Sequence, residues 1–158
     1  MNLILERTDK VKYYTNMSLV LAALGITASE FDWYVSDIET NYYGTNFSSD
    51  DQWINGDDLQ EFLERNEVQF ICAVFSAVPK GSRPIVDNTP YVDGNPDYWS
   101  GKEVEPQLRG ALFEIACWDS SATLLVGLPE DALNAFRHVY PDAKPLVIRG
   151  QSVTSIQT

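Results

Sequence analysis

The stretch Val68–Val78 is interrupted by polar side chains only at Gln69 and Ser76 and is otherwise rich in Val, Phe and Ile. A run of this kind predicts a strand buried on both faces, because a half-exposed strand alternates apolar with polar residues. A sheet centred on such a strand needs a covering layer on each side, which already narrows the fold class. Thr15–Leu24 predicts a short helix, capped by Thr15 or Asn16 and stopped by Gly25. Phe31, Trp33 and Val35 alternate with Asp32, Tyr34 and Ser36, the period of a strand, and the phase shifts at Asp37–Glu39. The polar stretch Asn41–Asn55 reads as a loop. Asp57–Asn66 predicts a helix with apolar Leu59, Phe62 and Leu63 on one side and a solvated outer face.

Farther on, Leu112–Trp118 and Ala122–Val126 predict a hairpin turning at Asp119–Ser121, and Pro129–Tyr140 a second amphipathic helix. The expectation is an α+β, or mixed α/β, fold: a single sheet of about four to six strands with two to three helices packed on it. The 158 residues fit one globular domain spanning 1–158. Residues 79–110 hold Pro79, Pro84, Pro90, Pro96 and Pro106 and show no periodicity. A connection of that length is usually functional or mobile. Residues 151–158 read as a tail prone to fraying.

Charge distribution is the strongest functional signal. The formal net charge is −12, and between Lys12 and Arg65 stand ten acids and no Lys or Arg. A nucleic-acid partner is excluded on this balance, since phosphate binding needs Lys and Arg, and an anionic membrane surface is disfavoured for the same reason. The longest apolar run, Leu19–Leu24, is far too short to span a bilayer, and charges from Glu6 onward leave no signal-peptide core. The expected location is the cytoplasm, where Cys72 and Cys117, each in an apolar stretch, are read as reduced and buried.

Catalytic patterns are scarce. His138 is the single histidine and falls near a helix end, and a triad with Ser120 or Ser121 and Asp119 lacks the nucleophile-elbow pattern. One His and two separated Cys do not make a zinc site. Asp93-Gly94-Asn95-Pro96-Asp97 begins like a calcium loop, but Tyr98 stands where Gly is required and Val104 where the bidentate Glu belongs, so it reads as a turn. Gly-rich phosphate cradles are lacking. The expectation is no metal, no cofactor and no catalytic residue; an enzyme using a carboxylate pair is the weakest of the readings, since no spacing selects a pair.

The segments Phe70–Gly81, Phe113–Leu124, Ala132–Phe136 and Tyr140–Lys144 resemble small bacterial cytosolic proteins, among them immunity proteins of polymorphic-toxin and contact-dependent growth-inhibition systems. The resemblance lies in the scaffold and carries no site residue. It implies toxin neutralisation in a bacterial cytoplasm. Together with the acidic third of the chain, it leads to the expectation of a non-enzymatic immunity protein that occludes a cognate, basic toxin domain, with a nuclease as the natural case. Asp50, Asp51, Asp57, Asp58, Glu61 and Glu64 are the expected contact carboxylates, and Trp53, Tyr98 and Trp99 the aromatic anchors. The alternative is a phage-type acidic mimic of nucleic acid that inhibits a DNA-binding protein, distinguished by broad partner choice and steep salt sensitivity.

Overall fold

A computed structural model of the chain describes residues 1–6, 9 and 15–147. Its strands are β1 (Leu3–Glu6), β2 (Phe31–Thr40), β3 (Gln52–Asn55), β4 (Phe70–Pro79), β5 (Phe113–Trp118), β6 (Ala122–Val126) and β7 (Lys144–Pro145), and its helices α1 (Met17–Leu24), α2 (Gly56–Arg65) and α3 (Glu130–Val139). The fold is α+β. All seven strands lie in one antiparallel sheet ordered β3-β2-β4-β5-β6-β1-β7, which corrects the expected four to six. The additional strands are β1, β3 and β7. β3 lies inside the stretch read as a loop; only Trp53 and Ile54 of its four residues are apolar, and pairing to β2 outweighs the polar composition.

The local signals act as their chemistry dictates. Asn16 caps α1 by accepting the Leu19 N–H at 3.2 Å, and Gly25 ends it at a φ of +75°. Asn55 caps α2 by accepting the Asp58 N–H at 2.9 Å. In β2 the phase shift is a bulge: the register against β4 slips between Ser36 and Glu39, and Asp37 takes a left-handed φ of +55°. The hairpin β5–β6 turns through Asp119 and Ser120, both left-handed. The cysteines are free and buried, Cys72 and Cys117 lying on opposite faces of the sheet.

Each face of the sheet has its own cover. Trp33, Val35, Phe75, Phe113, Ile115 and Leu125 meet the apolar sides of the three helices in the main core. There Trp33 lies edge-on to Phe31, Phe75 and Phe113, and its indole N–H donates to the Ala28 carbonyl at 2.9 Å. The opposite face, with Val74, Val78, Ala116, Leu124 and Val126, is covered by the Pro-rich connection, residues 80–112, which lays Val92, Tyr98 and Leu108 onto it. This strap is a packed layer of the domain. The expected tail, 151–158, lies outside the described residues.

Candidate functional site

Two places gather the chemistry. The first is the open edge of the sheet at β3 and the outer side of α2. Because Leu59, Phe62 and Leu63 turn inward, the helix presents Asp57, Asp58, Glu61 and Glu64 to solvent, and the preceding loop presents Asp50 and Asp51. A cleft of about 630 Å³ runs along all four β3 residues, with Asp58, Glu61, Phe62 and Arg65 of α2 on one side and Arg83 of the strap on the other. Trp53, half-buried, packs on Tyr34 and lies 5.6 Å beneath the Arg83 guanidinium, whose Nε is 3.5 Å from Asp32.

Several of these carboxylates have local partners. Glu61 pairs with Arg65 at 2.8 Å and Asp57 with Lys80 at 3.4 Å, while Asp51 accepts the Asp37 N–H at 3.0 Å. Asp58 accepts from the Asn55 side chain, and Glu64 from Gln60, each at 2.9 Å. Exposed pairs of this sort contribute at most about 1 kcal/mol and exchange readily for other partners. The acidic surplus is therefore free to act.

Tyr98 and Trp99 do not join this edge. Tyr98 is 3% exposed on the strap's inner side, and Trp99 is half-buried against Trp118, with ring centroids 5.2 Å apart. The expectation that Tyr98 anchors a partner is thus corrected, because its ring and hydroxyl are spent inside the domain. Of the other aromatics among the acids, Tyr34 and Phe47 are core residues, whereas Tyr43 is 96% exposed.

The second place lies under the strap. Glu114, on β5, is fully buried; its Oε1 accepts the Tyr98 hydroxyl at 2.7 Å and its Oε2 the Gln107 N–H at 2.9 Å. Gln107 in turn donates to the Tyr98 oxygen at 2.6 Å. Burial pushes the Glu114 carboxyl pKa up against the pull of these donors, and burial followed by the Glu114 charge pushes the Tyr98 hydroxyl up as well. A cleft of about 430 Å³ opens beside them, bordered also by Asp97, Lys102, Glu103 and Glu105. A buried acid of raised pKa beside a cleft is the feature a carboxylate enzyme requires. Here, however, both oxygens hold the strap to the sheet, as does Asp37, whose Oδ2 accepts the Val92 and Asp93 N–H groups at 2.9 Å each.

Sequence reasoning passed over Glu114 and Arg83. For Glu114 the signal exists: it is the one charged residue in an otherwise apolar strand, Phe113–Trp118, and a buried charge demands partners. Arg83 carries no such mark in the sequence. His138 is exposed on α3, and the Asp93–Asp97 segment forms a turn in which Asn95 accepts the Asp97 N–H at 3.1 Å. Among the described residues, no group of three His, Cys, Asp or Glu gathers to hold a metal, and no helix is long and apolar enough to cross a membrane.

No family model matches the chain, and neither curated proteins nor solved structures yield a match. The functional reading accordingly rests on the geometry of the two places just described.

Proposed function

We propose that the chain is a non-enzymatic binding protein of the bacterial cytoplasm that neutralises a basic toxin domain, acting as an immunity protein. The observation that carries this reading is the β3–α2 edge: one contiguous part of the chain exposes six carboxylates, two of which, Asp58 and Glu61, line an open cleft with a half-buried tryptophan in it. Carboxylates placed this way occupy positions that substrate phosphates would take on a nuclease, and complementarity of this kind raises association rates by about 10- to 10³-fold. Trp53 supplies the aromatic contact. The carboxyl of raised pKa, Glu114, supports a binding protein over an enzyme, since both its oxygens are committed to internal hydrogen bonds.

The test is co-expression with the product of the adjacent upstream gene. Rescue of growth from that product is expected. A variant carrying Asp57→Lys, Asp58→Lys, Glu61→Lys and Glu64→Lys should lose the rescue while remaining folded. An upstream product that is harmless, or that stays toxic with this protein present, overturns the reading, and unchanged rescue by the variant removes the acidic edge from it. A nucleic-acid mimic would instead inhibit several unrelated DNA-binding proteins and lose them all at modest salt.

A further inference from the structure

The two edges of the sheet are built differently. β7 consists of Lys144 and Pro145, the residue types that blunt an edge against further pairing. β3, Gln52-Trp53-Ile54-Asn55, has neither, and among the described residues no strand pairs with its outer side. Such an edge is a template for another strand.

The ladder shows which of its backbone groups are free. Along a strand, residues alternate in which neighbour receives their N–H and C=O. Ile71 and Ala77 give their carbonyls to Ser120 and Leu112, on the β5 side, at 3.0 and 2.8 Å, so the odd-numbered residues of β4 ladder to β5 and the even-numbered ones to β2. The β2 partners of Ser76 and Val78 are Tyr34 and Asp32, which leaves Trp33 and Val35 to bond β3. Their partners there are Ile54 and Gln52. Trp53, between those two, therefore turns its N–H and C=O out of the sheet.

We infer that β3 is a strand-addition site, on which an extended Lys- or Arg-rich segment of a partner protein lies as an eighth strand, hydrogen-bonded to the outward N–H and C=O of Trp53. This inference rests on the reading above that the acidic edge meets a protein, and it names how the contact is made. An extended partner is required because only a strand can continue the ladder. A basic one is required by the setting. Arg65 and Arg83 are already held by Glu61 and Asp32, which leaves Asp58 as the unpaired charge in the cleft lining, and the exposed Asp50 and Asp51, directly before β3, and Glu64, on α2, add to the negative charge beside the edge. A second copy of this chain would bring the same acids against themselves. An incoming Lys can displace Arg65 from Glu61, since that exposed pair is weakly held.

The probe is a synthetic peptide alternating lysine with valine, blocked at both ends, with a glutamate–valine peptide as control. Hydrogen exchange on the unaltered protein is read first. The Ile54 amide should be protected throughout, whereas the Trp53 amide should exchange freely until the lysine peptide is added and then slow at least about tenfold, a factor worth about 1.4 kcal/mol. Affinity for the same peptide is then compared between Trp53→Ala and Trp53→Pro. Both lose the indole and only the second loses the outward donor, so Trp53→Pro should bind at least about tenfold more weakly. Absence of lysine-peptide binding, equal binding of the glutamate peptide, or binding with Trp53 exchange unchanged each overturns strand addition. In the last case, loss of binding in the four-lysine variant leaves the acidic edge standing without it, whereas unimpaired binding in that variant removes the edge as well.

Discussion

Gly56 opens α2, and standard helix propensities make its replacement by Ala stabilising by about 1 kcal/mol. The structure reverses that sign. A Cβ on Gly56 would stand well inside van der Waals contact of two backbone carbonyl oxygens, those of Phe31 and Ala28, and 3.0 Å from the Ser29 Cα. None of these is the movable end of a side chain, so the start of α2 must retreat by roughly 1 Å to reach the about 3.3 Å at which a carbon and a carbonyl oxygen sit comfortably. That retreat strains the packing of Leu59 and Phe62 and the bond from the Ala28 N–H to the Gln60 side chain, 2.8 Å long. Overpacking of this kind costs about 3 kcal/mol, which after the propensity gain leaves about 2 kcal/mol of net destabilisation. At about 2–4 °C per kcal/mol for a chain of this size, Gly56→Ala should lower Tm by roughly 4–8 °C in a reversible thermal scan. Gly81→Ala is the matched comparison: φ is +79° and nothing lies within 4 Å of its would-be Cβ, so only the left-handed backbone cost of about 1 kcal/mol applies. A Tm for Gly56→Ala that is unchanged, raised, or lowered less than that of Gly81→Ala refutes the reasoning.

Other outcomes follow from the strap. Tyr98→Phe removes the hydroxyl shared by Glu114 and Gln107 and should destabilise by about 1–3 kcal/mol in urea unfolding, with faster hydrogen exchange in residues 91–107. Asp37→Ala deprives the Val92 and Asp93 N–H groups of their acceptor and places Ala at a left-handed φ, for a loss of about 2–4 kcal/mol; Asp37→Asn, which keeps an acceptor and tolerates that backbone, should lose less than half as much. Burial raises the Glu114 pKa in the folded state, so as pH rises the unfolded chain releases this proton first. The stability of the parent relative to Glu114→Gln should thus be greatest below the ordinary glutamate pKa and decline as pH rises through the raised one, then level off; urea midpoints measured against pH would show the opposite slope if Glu114 were held down instead. Burial also raises both thiols, Cys117 most, so neither should react with a thiol reagent in the folded protein, and fast labelling would contradict the packing.

The sequence disclosed whatever had a local cause. Val68–Val78, the α1 caps at Asn16 and Gly25, the shift at Asp37 and the hairpin around Asp119–Ser121 all follow from neighbouring residues, and each element lies within a few residues of its expected place. What stayed hidden depends on distant partners. β1 is a strand because β6 and β7 flank it, and β3 because β2 does. Tyr98 was legible as an aromatic in a loop but not as the partner of Glu114, since no local pattern places the strap on the sheet. The acidic residues were legible in position and number. Their arrangement around a free strand edge was not, because the edge itself exists only in the sheet.

The place of β1 has a consequence for the order in which the molecule can be assembled during synthesis. β1 precedes the other six strands, yet Leu3 pairs with Leu125 and Pro145, so it must wait unpaired until the residues through β6 have emerged. The backbone of the β3 edge is built from residues 28–79: β2, β3, α2 and β4 follow one another and pack together. Loops that close over short separations form sooner than long ones. The acidic edge can therefore take shape on the ribosome while the other half of the sheet is still being translated, whereas β1 closes onto the sheet only after β6 has been made.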